Sequence, residues 1–261
     1  MADGDYERGR SREISALAAR LKQFAAARAA APRPAQPPVF VLNGWAASPQ
    51  AWDLCRFMRA PDRPQLFSYI DQLDGAPAQA CAEADRFVLV GWSMGGSSAL
   101  RLAARWPEKV AGLILIAATP RMMEEKETGW RGMSPRRLEA LRYGLVLTRG
   151  GGFFGTPPDK PNPYLVDTPE RLQRGLTYLL ETDLRQTLEA AFKDRPAPFP
   201  VFIFQSERDG IVRPENAAYL KTIFPQAAVT YVPGTEHALM LEIQEKIDDA
   251  LDACLSVAPK S

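Results

Sequence analysis

Short, fully apolar runs recur along this chain, each ended by a turn signal or followed by helix-like sequence. Val39-Phe40-Val41-Leu42 stops at Asn43-Gly44, and Phe87-Val88-Leu89-Val90 stops at Gly91. Val110 to Ala118 is a third run. Val201 to Phe204 and Val229 to Val232 repeat the pattern, and Phe67 to Ile70 is a weaker member. A strand without polar alternation must be buried on both faces, and helices between such strands supply the cover. The pattern therefore predicts an α/β fold, with a mostly parallel sheet and helices on both faces. Between Thr119 and Pro200 the alternation stops. Helical stretches mixed with Arg, Gly and Pro there predict an insertion over about 121–195 that forms a helical lid. Four segments follow: an N-terminal helix and Pro-rich linker (1–37), a first core part (38–120), the lid (121–195) and a second core part (196–261).

Composition narrows the function. Lys and Arg number 32 against 31 Asp and Glu, so the large basic excess of a general nucleic-acid binder is missing. No apolar run approaches the roughly 20 residues that span a bilayer. Ile14, Leu17, Leu21 and Phe24 recur at helical spacing, which predicts an amphipathic helix over 11–30. Charges run through that N-terminus and no apolar core of a secretory signal is visible, so a cytoplasmic location is expected. The three cysteines, Cys55, Cys81 and Cys254, are scattered, with neither disulfide nor metal spacing.

The run that ends at Gly91 leads into Gly91-Trp92-Ser93-Met94-Gly95, a G-x-S-x-G pentapeptide. Composition alone yields such a pentapeptide in about one chain in ten. Its place between a buried strand and a helix is what marks it as a nucleophile elbow. So sharp a turn needs small residues two before and two after the serine. It lifts the Ser93 hydroxyl to a helix N-terminus, where the Met94 N–H can meet an oxyanion. A serine hydroxyl needs a base, and His237 is the only histidine in the 261 residues. It follows the last predicted strand. The loop after the preceding strand, Gln205 to Pro214, offers Asp209 and Glu207 as the acid that orients the imidazole. Asp209 is favoured because Asp-Gly supports a tight turn and the shorter carboxylate has less freedom. The order Ser, Asp, His is that of α/β hydrolases. In the loop after the first strand, Gly44 lets the backbone approach the site, and the Trp45 N–H is the candidate second oxyanion donor.

Several stretches resemble one family: NGW (43–45), LVGWSMGG (89–96), RGMSPRRLEALR (131–142), GLTYLLETDLRQTLE (175–189), ERDGIVRP (207–214) and EHA (236–238). The chain resembles the α/β-hydrolase superfamily and, more narrowly, the pimeloyl-acyl-carrier-protein methyl ester esterases of biotin synthesis. The similarity covers about 38–257 in patches. Its most specific part, Gly175 to Gln186, lies in the insertion, away from the triad. The resemblance implies an α/β-hydrolase fold and a serine carboxylesterase with Ser93, Asp209 and His237 as triad. It also implies Trp45 and Met94 as oxyanion donors, no metal or organic cofactor, and an acyl carrier protein as the partner bearing the substrate. One departure stands out, Asn43 where that family usually has His.

Within the insertion, Ser134-Pro135 predicts a helix start. Leu138, Leu141 and Leu145 would face the site or the core, and Trp92, Leu138, Leu141, Phe153 and Phe154 are candidate pocket or lid residues. Arg131, Arg136, Arg137, Arg142 and Arg149, with Arg171 and Arg174, make the lid basic. The first five are candidates for docking an acidic carrier protein; a solvated helical surface is the plain alternative. Two other readings stay open at this level. One is a serine hydrolase or acyltransferase acting on small free esters. The other is a non-catalytic ligand receptor on a hydrolase fold.

Overall fold

The computed structural model describes residues 36–60, 64–147, 163–165 and 167–256. The expected N-terminal helix, most of the Pro-rich linker, Arg149, Phe153, Phe154 and the Leu145 side chain lie outside the described residues. Six strands form one sheet: β1 Val39–Leu42, β2 Gln65–Phe67, β3 Phe87–Trp92, β4 Val110–Ile116, β5 Val201–Ser206 and β6 Ala228–Val232. Their order is β2-β1-β3-β4-β5-β6, and every neighbouring pair is parallel. All residues of β3 and β4 are buried, as their unbroken apolar sequence requires.

Side chains of successive strand residues leave the sheet on opposite faces. Val88, Val90 and Trp92 join one core cluster, and Phe87 and Leu89 the other. Helix Gln244–Ser256, α8, covers the first face through Ile247, Leu251 and Cys254. The opposite face is covered by α2 (Ala76–Glu83), α3 (Met94–Arg105) and α7 (Glu215–Ile223). The chain leaves β1 toward β2 on one side and returns at β3 on the other. The carboxyl ends of β1 and β3 therefore flank the switch point where such sheets carry their sites.

One expectation is corrected. The weaker run forms β2 at Gln65–Phe67, not a strand from Phe67 to Ile70, because a helix, α1 (Tyr69–Leu73), begins two residues after Phe67. Ser68 caps it: the Ser68 hydroxyl accepts the Asp71 N–H at 3.2 Å, and Asp71 accepts the Ser68 N–H at 2.8 Å. This capping box ends the strand. Three helices fall within the expected insertion, 121–195. Leu138 and Leu141 of α4 (Pro135–Leu147) and Leu179 of α5 (Pro169–Glu181) lie beside Ser93. Helix α6, Arg185–Phe192, buries Leu188 and Phe192 with Leu100 of α3 and Leu220 of α7.

Ion pairs hold the junction between α5 and α6. Asp183 meets Arg121 and Arg185, the latter at 2.7 Å, and Arg185 also meets Glu125 at 2.8 Å. The Arg185 hydrogen bond, with that of Arg121, lowers the Asp183 carboxyl from 3.8 to about 2. A depressed carboxyl stabilises the fold fully above its unfolded value and loses that contribution as pH falls through the folded one. Asp183→Asn is expected to cost about 1 kcal/mol at neutral pH, after solvent screening of a partly exposed pair. The difference from wild type should shrink as pH falls from 3.8 toward about 2, which urea unfolding at several pH values will show.

Candidate active site

Ser93 sits between β3 and α3 with φ 56° and ψ −120°, a conformation that a side chain adopts only where the surroundings enforce it. Three contacts enforce it. The Ser93 N–H donates to the Ile116 carbonyl at 3.0 Å, and the Ser93 carbonyl accepts the Gly96 N–H at 2.9 Å. The third is steric. A Cβ on Gly91 would lie 2.5 Å from the Gly95 carbonyl oxygen, and one on Gly95 would lie 2.0 Å from that of Leu42. Helix α3 can approach β1 and β3 this closely only with glycine at both positions.

The loops after β5 and β6 bring the other groups to Ser93. His237 Nε2 is 2.8 Å from Ser93 Oγ, and His237 Nδ1 is 2.9 Å from Asp209 Oδ2. All three residues are buried. The second carboxylate oxygen of Asp209 accepts the N–H groups of Ile211 at 2.8 Å and Val212 at 2.9 Å. The carboxylate thus has a fixed orientation, and Glu207, the rival acid, is exposed. In this arrangement Asp209 accepts the Nδ1 proton, leaving Nε2 with a lone pair toward the Ser93 hydroxyl. The chain of hydrogen bonds can therefore take a proton from Ser93 Oγ and keep the resulting imidazolium paired.

Residues behind these three hold them. The Trp92 indole N–H donates to the His237 carbonyl at 3.1 Å, and the two rings lie 5.7 Å apart. Trp92, a candidate pocket or lid residue from the sequence, is buried. Ser206 ties the acid loop to the histidine loop, accepting the Arg208 N–H at 3.1 Å and donating to the Thr235 carbonyl. Gln205 donates to the Val212 carbonyl at 2.9 Å, within the turn that presents Asp209.

Asn43 organises the loop after β1. Its side-chain oxygen accepts the Gly44 N–H at 3.2 Å and the Trp52 indole N–H at 3.1 Å. Its amide nitrogen donates to the carbonyls of Ala47 and Ser48, both at 3.2 Å. A buried amide with every group satisfied fixes a loop without needing a histidine's ring. Met94 opens α3, so its N–H has no acceptor within the helix and lies one residue from Ser93.

Ser93 faces a small, largely apolar space lined by Trp45, Met122, Leu138, Leu141, Leu179 and Ile211, with Tyr164 beside them. Leu138 and Leu141, candidate pocket or lid residues from the sequence, are among those that line it. Met122 and Ile211 were missed, although each follows a strand end on the site's side of the sheet. Tyr164 lies in irregular sequence and carries no periodic signal. The enclosed volume is about 20 Å³, enough for about one water. A roomier recess of about 350 Å³ lies elsewhere, between Trp130, Arg131, Arg185 and Glu215, and none of the three site residues lines it.

Of the arginines singled out for docking, Arg131 pairs with Glu215 at 3.4 Å and Arg142 with Glu139 at 2.6 Å. Arg136 and Arg137 are exposed and have no ion pair among the described residues. The three cysteines are buried, and burial pushes each thiol up to about 12, so none is a thiolate at neutral pH. Among the described residues, no three His, Cys, Asp or Glu side chains are grouped to hold a metal. Nor, among them, is any helix long and apolar enough to cross a membrane.

The sheet order, the elbow and the hydrogen-bonded Ser, His and Asp define an α/β-hydrolase site. The model of the alpha/beta hydrolase family matches residues 39–250, and the chain belongs to that family. It is 29% identical over 176 residues to a pimeloyl-[acyl-carrier protein] methyl ester esterase of Nitrosospira multiformis. That match covers 61% of this chain and 64% of the relative, a little under two thirds of its length. The protein of the same name from Nitrosomonas europaea is 28% identical over 257 residues, covering 83% of this chain and 95% of its own. Among solved structures, an esterase from Exiguobacterium antarcticum superposes with a TM-score of 0.63 at 17% identity, over 85% of this chain and 92% of that one. Identity that low speaks for the fold alone.

The closeness of α3 to β1 has a direct consequence. Gly95→Ala places a methyl group against the Leu42 carbonyl, where no flexible side chain can yield. It is expected to destabilise the protein by about 3 kcal/mol or more, read from urea unfolding. Labelling of Ser93 by a fluorophosphonate should be lost in whatever folded protein remains.

Proposed function

We propose that the protein hydrolyses carboxylic esters through Ser93, and that its substrate is the methyl ester of a pimeloyl-acyl-carrier protein. The observation that carries the chemistry is the buried chain Ser93 Oγ, His237 Nε2, His237 Nδ1, Asp209 Oδ2, with links of 2.8 and 2.9 Å. Ser93 Oγ attacks the ester carbonyl carbon as His237 Nε2 takes its proton. Asp209 holds the Nδ1 proton and stabilises the imidazolium. The oxyanion is received by the N–H groups of Met94 and Trp45. The tetrahedral intermediate collapses, methanol leaves with the proton from His237, and the acyl group stays on Ser93. Water then gives a proton to His237 and attacks the acyl carbon; the bond from that carbon to Ser93 Oγ breaks, His237 returns the proton to Oγ, and the acid leaves. Every step uses groups of this chain and water.

The substrate rests on two supports. The relatives named above carry that substrate in their names, at 28–29% identity. The apolar lining by Met122, Leu138, Leu141 and Ile211 suits an acyl chain. Among the described docking candidates, Arg136 and Arg137, both exposed on α4, are the guanidinium groups that would meet an acidic carrier. In a second reading small free esters are the substrates, since the Ser93, His237 and Asp209 arrangement needs no carrier contact. Comparing kcat/KM on carrier-linked and free pimeloyl methyl esters separates the two. The carrier reading expects Arg136→Glu with Arg137→Glu to lower kcat/KM on the carrier-linked ester about tenfold or more, leaving the free ester within about twofold. Equal loss on both substrates, or none on either, favours the second reading.

A further inference from the structure

The stretch Gly175 to Gln186, the most specific part of the resemblance, contributes none of the reacting groups, yet the structure gives it a contact with the site. Gly175 lies in the middle of α5, where glycine is ordinarily unfavourable. The Trp45 indole occupies the space its missing side chain leaves. A Cβ at Gly175 would be 2.4 Å from Trp45 Cδ1 and 2.7 Å from its Nε1. The same indole N–H donates to the Leu172 carbonyl, one turn earlier in α5, at 3.2 Å.

We propose that Gly175 is a positioning residue for the oxyanion hole, acting through Trp45. This rests on the reading of the Trp45 N–H as an oxyanion donor. A donor on a loop is only as well placed as the anchors of that loop. Asn43 anchors it on one side. On the other, the Ala46 carbonyl accepts the Leu165 N–H at 2.9 Å, and the Ser48 N–H donates to the Pro163 carbonyl at 2.7 Å. Between them Ala46 holds a φ of 51°, a left-handed conformation that such anchors must impose. Trp45 stands at the centre of this span, and its side chain is fixed to α5.

The rest of the stretch fixes α5 in turn. Tyr178 Oη lies 3.2 Å from Ser98 Oγ, Arg101 donates to Thr182 Oγ1 at 3.3 Å, and Asp183 pairs with Arg121 and Arg185. Ser98 and Arg101 belong to α3, the helix that begins beside Ser93. Elbow and oxyanion loop are therefore referenced to the same helix, one directly and one through α5. A methyl group at 175 forces the indole or α5 to move, and the Trp45 N–H moves with its side chain.

The test uses the full chain, p-nitrophenyl butyrate as substrate, and a trifluoromethyl ketone whose adduct at Ser93 places an oxyanion in the hole. Gly175→Ala is expected to lower kcat about 10- to 100-fold with KM within about threefold. Affinity for the ketone should fall by the same factor as kcat, while the midpoint of the pH profile stays at its wild-type position. Trp45→Phe alone should also lower kcat and ketone affinity together. In the Trp45→Phe background, Gly175→Ala should add no more than about a further twofold loss. Wild-type kcat in Gly175→Ala, or its full loss repeated in the Trp45→Phe background, overturns the proposal. Should Gly175→Ala fail to fold, unchanged kcat and ketone affinity in Trp45→Phe overturn it alone. Hydrolysis that persists in Ser93→Ala would instead overturn the esterase reading on which the proposal stands.

Discussion

Helix α3 lies so close to β1 and β3 that neither Gly91 nor Gly95 has room for a methyl group. That approach drives the chain through the turn at Ser93 and holds the residue at φ 56°. It also sets the first N–H groups of α3 beside the hydroxyl. The apolar content of β3 and β4 makes the approach stable, because strands buried on both faces leave the sheet no freedom to shift. The strain of one residue is thus borne by the packing of the sheet's two central strands.

The rest of the site is built by loops from the carboxyl ends of four strands, β1, β3, β5 and β6. Such loops are individually weak platforms, and here they are tied to one another. Trp92 of the elbow holds the His237 carbonyl, and Ser206 joins the acid loop to the histidine loop. Asn43 closes the first loop on itself. The bonds of Trp92 and Asn43 are buried and those of Ser206 partly so, where an unpaired polar group is costly, so each loop's geometry depends on its neighbour's. The lid enters the same network through Trp45 and α5.

Much of this was legible in the sequence, for physical reasons. Four strands were visible because strands buried on both faces cannot alternate with polar residues. The edge strand β6, exposed at Ala228 and Tyr231, was visible from its β-branched and aromatic residues. The order of Ser93, Asp209 and His237 was visible because one elbow, one histidine and one Asp-Gly turn left few choices. The strand at 67–70 was misplaced because Tyr69 and Ile70 are good strand residues, while the capping box of Ser68 and Asp71 decides for helix. The pairing of Trp45 with Gly175 joins residues 130 positions apart. No local pattern announces it.

The central claim is that Ser93 is acylated and that His237, the only imidazole in the chain, enables it. Acid quenching during turnover of an activated ester, followed by peptide mass mapping, tests this most directly. The account requires one acyl group per chain, on the peptide containing Ser93, in wild type. In His237→Ala the adduct should form at least about a thousandfold more slowly. An acyl group on another residue, or acylation of Ser93 at an undiminished rate without His237, would contradict it.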